Sequence, residues 1–206
     1  MLKVEHKIFG ALENNCYLIT DSATGKSALV DCTDDSAEMM NFIDGKDLQY
    51  ILLTHGHFDH IGGVKAVKEK TGAKVVISKA DEPMLSSSRE SLAAFCGGVQ
   101  NNTQADIIVS EGDVIELGEC RISVMSTPGH TKGGVCYICD DNIFTGDTLF
   151  SLSCGRVDFP GGSSIEMAES LKRISSLDGD FRVYTGHNQI STLDYERKNN
   201  PYLKNL

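Results

Sequence analysis

The run LQYILLT, residues 48–54, constrains this chain more than any other stretch. Its apolar side chains fall on both faces of an extended segment, so it predicts a strand with neither face open to water. Such a strand needs cover on both sides, and that forces a layered fold. The next six residues are equally distinctive. Residues 55–60 read HGHFDH and hold three of the six histidines together with an aspartate.

Further strand-like runs appear at KVEHKIF, NCYLIT, SALVD, KVVIS, DVIEL, CRISVMST, GVCYICD, NIFTG and RVYTG. Asp34, Asp35 and Ser36 offer N-caps for a helix through Phe42 and Ile43 that Gly45 stops. Ile61, Val64 and Val67 mark a second helix ending at Gly72. Ser163 and Glu166 make a capping box that opens a helix with Ile165, Ala168, Leu171 and Ile174 on one face. A last short helix is predicted over residues 192–200. Many strands, several helices and mixed order predict an α/β or α+β layered fold, read as one domain over residues 1–206. Residues 79–105 give the weakest pattern. Within them, residues 86–103 fit either a lid or a plain helical insertion.

Composition removes several function classes. The net charge of −10 and the lack of any Lys/Arg-rich segment argue against nucleic-acid or anionic-membrane partners. The opening MLKVEHKIFG is charged at Lys3, Glu5 and Lys7 and has no apolar core of a secretory signal. No apolar run approaches the roughly 20 residues of a transmembrane helix. The expectation is a soluble, cytoplasmic protein whose seven cysteines are free thiols. Cys136 and Cys139 form a C-x-x-C, but on a strand, where residues three apart point to opposite faces. A redox pair would open a helix instead.

The remaining polar signatures sit at strand ends. His130 follows ISVMSTPG, Asp147 follows NIFTG, and His187 follows RVYTG. Loops at one end of a rigid sheet can converge on a shared site. Only His6, inside a charged N-terminal strand, lies outside this pattern. Neutral imidazole and carboxylate suit borderline divalent ions such as zinc, iron and manganese. Five histidines and two aspartates exceed the needs of one tetrahedral ion and match two ions sharing a ligand. His55 and His57 point the same way from an extended loop, with Gly56 leaving room between them. Asp59 and His60, past a turn, suit a second ion.

The motif H-x-H-x-D-H at His55, His57, Asp59 and His60, with the later His130, Asp147 and His187, resembles the hallmark of the metallo-β-lactamase superfamily. Asp31, ending SALVD, is similar to that superfamily's first motif, a structural aspartate near the site. The resemblance implies an αββα sandwich, two mixed β-sheets flanked by helices, with metals at one edge. It implies His55, His57 and His130 on a first metal, Asp59, His60 and His187 on a second, and Asp147 bridging them. Class B lactamases usually carry a cysteine where Asp147 stands, so antibiotic hydrolysis is not the implied activity.

NCYLI, STPGHTKGGVCYI, GDTLF and CGRVDFPGG are similar to segments of the glyoxalase II branch. That likeness implies a binuclear metallohydrolase of hydroxyacylglutathione-type thioesters, with a metal-bridging hydroxide as nucleophile. Asp59 and Asp147 take catalytic roles in it, and Arg156 contacts the substrate; read from the residue alone, Arg156 fits equally a surface ion pair with a nearby acid. Two divalent ions are implied, zinc first, with iron or manganese served by the same donors. The ending ERKNNPYL resembles short single-domain relatives. Two departures stand out. The chain stops about where the catalytic domain of glyoxalase II ends, before its C-terminal helical domain, and Asp158 occupies the place of a substrate-binding tyrosine. A second implied activity is that of the superfamily's persulfide dioxygenases, which use one iron; His55, His130 and Asp147 contain such a two-histidine, one-carboxylate set. The expected partner is a small molecule, with neither nucleic acid nor membrane; oligomeric state is left open.

Overall fold

The computed structural model describes residues 1–204 and sets the LQYILLT run inside a six-stranded sheet. Its strands lie in the order β1 (Leu2–Phe9), β2 (Asn14–Asp21), β3 (Lys26–Val30), β4 (Asp47–Leu52), β5 (Lys74–Ser78) and β6 (Ile107–Val109). The first three pair antiparallel, and β3 through β6 pair parallel. The two faces of β4 are both used. Ile51 and Leu53 enter one apolar layer, while Leu52 enters another. This is the double burial read from the sequence.

A second sheet contains β7 (Val114–Leu117), β8 (Cys120–Ser126), β9 (Val135–Cys139) and β10 (Asn142–Gly146). A small hairpin, β11 (Leu149–Phe150) with β12 (Ser153–Cys154), comes next and lies outside the sheet. The chain then adds β13 (Arg182–Thr185) and β14 (Ser191–Thr192), giving the order β14-β13-β10-β9-β8-β7. Only β10 and β13 pair parallel, so this sheet is mixed as well.

Three apolar layers stack the elements. Tyr17, Val30, Leu52 and Val76 of the first sheet meet Ile122, Tyr137, Phe144 and Tyr184 of the second between the sheets. Outside the first sheet lie α1 (Ala37–Phe42), α2 (Phe58–Ile61) and α3 (Val64–Thr71), through Met39, Ile61, Val64 and Val67. Outside the second lie α5 (Ser164–Ser175) and α6 (Leu193–Asn199), through Met167, Leu171, Ile174 and Leu193. The remaining helix, α4 (Ala93–Cys96), is a single turn in the weakly patterned segment. Each such buried aliphatic side chain contributes about 1.5–3 kcal/mol. The architecture is the predicted αββα sandwich. Among the described residues, no helix is long and apolar enough to cross a membrane.

The expected caps are present: Ser36 Oγ accepts from Met39 N, Ser163 Oγ from Glu166 N, and Thr192 Oγ1 from Tyr195 N. One predicted helix is broken. Residues 61–72 form the end of α2 and the whole of α3, parted at Gly62 and Gly63. A Cβ on Gly63 would lie 1.9 Å from the Asp34 carbonyl oxygen, so the backbone after β3 packs where a side chain would stand. Cys136 and Cys139 do face opposite layers, Cys136 towards α5 and Cys139 between the sheets. All seven cysteines are free.

Candidate metal centre

The strand ends converge at one edge of the sandwich. The loop after β4 brings His55 and His57, and α2 carries Asp59 and His60, so the latter pair sits on a helical turn rather than simply past one. The loop after β8 delivers His130, the end of β10 delivers Asp147, and the end of β13 delivers His187. All seven ligand candidates meet. One trio is His55, His57 and His130; another is Asp59, His60 and His187; a third, His55, His60 and Asp147, lies across them, with the donor atoms in each within 4.8 Å of one another. Asp147 reaches towards both sides, 3.5 Å from His130 Nε2, 3.5 Å from His60 Nε2 and 3.6 Å from His187 Nε2. His6 stays apart, bonded to Asn15 Oδ1 and stacked on Tyr17.

The outer nitrogens of three histidines are occupied, which turns their inner ones to the centre. His130 Nδ1 donates to the Arg156 carbonyl at 2.7 Å, and His187 Nδ1 to the Leu12 carbonyl at 3.0 Å. His60 Nδ1 lies 2.9 Å from Asp31 Oδ2. Asp31 also accepts from Thr54 N and Thr54 Oγ1 at 2.9 and 2.8 Å, so it ties the loop after β4 to α2. Anchoring of this kind orients ligands and raises their basicity.

The donor set fits divalent ions. His55 Nε2, His57 Nε2, His60 Nε2 and Asp147 Oδ1 are buried without a hydrogen-bond partner among the described residues. Each such atom costs about 1–3 kcal/mol unless something satisfies it. Bound cations would satisfy such atoms, which fall within the overlapping trios rather than in one group of four. Imidazole nitrogens with a few carboxylate oxygens are the donors that zinc, iron and manganese accept.

The surroundings keep two of these donors neutral and leave a third protonated. Burial lowers the His55 pKa well below the ordinary histidine value, and the neighbouring His60, His57 and His130 lower it further. Burial and His130 bring His57 to about 3, so both rings present neutral lone pairs. Burial acts the same way on His60, yet Asp59, Asp31 and Asp147 outweigh it and raise that ring to about 10. Burial would raise Asp59, but His60, His187 and Asn14 hold it below the usual carboxylate range.

Two residues of the site carry no signal that sequence reasoning used. Asn14, at the start of β2, donates to Asp59 Oδ2 at 2.9 Å. Asp81, fully buried, accepts from Thr131 Oγ1 at 2.7 Å, Gly133 N at 2.8 Å and Gly56 N at 3.2 Å. It thereby joins the loop bearing His55 and His57 to the loop bearing His130. Asp81 follows β5 as Asp31 follows β3, so the strand-then-carboxylate pattern was its available signal.

A cavity of about 760 Å³ opens over the donors. Leu92, Cys96 and Gly97, from residues 86–103, form part of its wall. That segment is tied down by Ser91 O accepting from Phe58 N and by Asn101 Nδ2 donating to Gly62 O. Arg156 lines the cavity too, but its side chain forms a two-pronged ion pair with Asp158, at 2.7 and 2.8 Å. Its guanidinium also stacks on Phe159, 4.0 Å from the ring centre.

Comparison with known proteins bears on the family and the fold. The family described as the metallo-beta-lactamase superfamily matches residues 9–187. The hydroxyacylglutathione hydrolase of Bradyrhizobium sp. (strain ORS 278) is 37% identical over 88% of this chain, which spans 65% of that relative's length. Among solved structures, the BLEG-1 B3 metallo-beta-lactamase superposes with a TM-score of 0.91 at 28% identity, covering 98% of this chain and 99% of that one. TTHA1623 in a di-iron-bound form superposes with a TM-score of 0.86 at 32% identity, covering 97% and 100%.

Proposed function

Because the chain belongs to the metallo-beta-lactamase superfamily and is a hydrolase-like enzyme of it, we propose that it is a binuclear metallohydrolase acting on thioesters of the hydroxyacylglutathione type. The observation that carries this reading is the pair of donor trios, His55–His57–His130 and Asp59–His60–His187, with Asp147 between them at the floor of one cavity. The name of the Bradyrhizobium relative supports the substrate class.

In this reading His55, His57 and His130 would hold one ion, Asp59, His60 and His187 would hold the other, and Asp147 would serve both. Two bound divalent ions lower the pKa of water towards neutrality and polarise an acyl carbonyl. The chain's own residues do the rest. Asp31 and the Arg156 carbonyl fix the orientation of His60 and His130. Asn14 steers Asp59. Asp59 and Asp147, which line the cavity, would be the carboxylates to take up a proton during hydrolysis, and Phe150 and Phe159 add apolar wall beside them. A thiolate leaves readily, so no strong general acid is required. Seven free cysteines support a reducing, cytoplasmic setting.

The test is elemental analysis of metal per chain, paired with assays of S-lactoylglutathione hydrolysis and of oxygen uptake with glutathione persulfide. Two metals and thioester hydrolysis, exceeding hydrolysis of a β-lactam, are expected. One iron per chain with oxygen consumption would favour the dioxygenase reading and overturn this one.

A further inference from the structure

We propose that Asp158 sets the charge selection of the cavity, so that the enzyme prefers thioesters whose thiol half is uncharged over thioesters of carboxylate-bearing thiols. The inference rests on the thioesterase part of that reading and departs from its glutathione part, since glutathione is a carboxylate-bearing thiol.

Among the described residues lining the cavity, Arg156 is the only lysine or arginine. It is the group an anionic thiol would seek, because its planar fork matches a carboxylate. That fork is already engaged. Asp158 Oδ1 accepts from Arg156 Nε at 2.7 Å and Asp158 Oδ2 from Nη2 at 2.8 Å. One face of the guanidinium is covered by Phe159. An incoming carboxylate must therefore displace Asp158 or settle for the remaining Nη1 edge.

The pair also cancels the one positive charge at the rim. Arg156 and Asp158 together contribute no net charge, in a chain whose total is −10. Apart from the polar groups at the floor and Ser153 and Asn188, the wall is largely apolar, through Leu12, Phe58, Leu92, Phe150 and Phe159. An uncharged thiol half has no charge to desolvate in such a space, whereas a free carboxylate gives up hydration without gaining a full ion pair. The Arg156–Asp158 pair is exposed, at 58% and 65% of the side chains. Competition of that kind is modest, on the order of threefold to fivefold in affinity.

The experiment uses the metal-loaded protein and two lactoyl thioesters, S-lactoylglutathione and the uncharged S-lactoyl-N-acetylcysteamine. Wild type is expected to show the higher kcat/KM with the uncharged thioester. In Asp158→Asn, the ratio of kcat/KM for the glutathione thioester over the uncharged one should rise about threefold to fivefold. Calorimetric binding of S-methylglutathione, which needs no turnover, should tighten by a similar factor and lose that gain at high salt. Adding Arg156→Gln to Asp158→Asn should abolish both gains. An unchanged ratio in Asp158→Asn, or weaker S-methylglutathione binding, overturns the inference; the latter would mean that Asp158 receives the substrate's ammonium group. If no variant hydrolyses either thioester, the thioesterase reading fails, while the calorimetric series still decides the role of Asp158.

Discussion

Asp31 adopts a left-handed backbone conformation, φ 57°, that costs a non-glycine residue about 1–2 kcal/mol. The conformation delivers one carboxylate to Thr54 and to His60 together. Asp31→Asn cannot accept at all of these positions, so metal affinity should fall about 10- to 100-fold, measured by competition with a chromogenic chelator. Asp147→Ala should abolish hydrolysis and reduce metal content; a variant that kept both full activity and two metals would sink its bridging assignment. Gly186 shows how tightly the donors are set, since a Cβ there would lie 2.3 Å from Asp147 Oδ1. At this scale the ligand candidates were legible because chemistry confines histidine clusters to few explanations. Asn14 and Asp81 were not, because a single polar residue at a strand end is usually a cap or turn former. Only their partners, 45 and 50 residues away in Asp59 and Thr131, reveal what they do.

Between elements, buried carboxylates act as ties. Glu196 of α6 accepts from Leu152 N at 2.8 Å and from Asn200 Nδ2 at 2.9 Å, and it also binds Ser191 Oγ. It thus anchors the β11–β12 hairpin, whose Phe150 and Cys154 line the cavity. Glu196→Ala strands those donors and should destabilise the fold by about 1–3 kcal/mol in urea titration. Asp21 ties the far end of β2 to the β7–β8 turn, through Glu119 N at 2.9 Å, and accepts from Thr24 Oγ1 at 2.7 Å. The Glu119 amide, then Thr24, hold its pKa below the usual carboxylate value of 3.8. A depressed folded value stabilises above the unfolded pKa and loses that effect as pH falls through the folded one. The urea midpoints of wild type and Asp21→Asn should therefore differ fully at pH 7 and draw together below pH 3.8. The extent and N-cap of α5 were readable from spacing, but its buried face only in part: Leu171 and Ile174 are buried as expected, while Ile165 is exposed and Met167 enters the core instead. Strand β6 was not readable, since only Ile107, Ile108 and Val109 build it and β5 supplies its pairing. The split between α2 and α3 was hidden for a related reason: the loop that forbids a side chain at Gly63 lies 29 residues earlier, at Asp34.

Across the whole molecule, the donors come from both sheets. His55, His57, Asp59 and His60 follow β4 of the first, while His130, Asp147 and His187 follow strands of the second. Elsewhere the two sheets meet mainly through apolar side chains. Bound ions would then fasten the sandwich along one edge. Ligand at about 100 times its dissociation constant stabilises by roughly 2.7 kcal/mol, which for a chain of this size corresponds to about 5–10 °C in Tm. Scanning calorimetry before and after chelation, with recovery on adding metal back, checks this. The layered architecture was legible from one strand with no polar face. The pairing order of the sheets was not, because it depends on which distant strands share an edge.

His130 is held by the main-chain carbonyl of Arg156, not by its side chain. Any residue at that position supplies the same acceptor. The side chains at positions 156 and 158 are therefore free to vary without loosening the ligand behind them. On the proposed reading, substrate preference is thereby mounted apart from the frame that holds His130, so that altering the rim would change the thiol accepted while the reactive centre stays as it is.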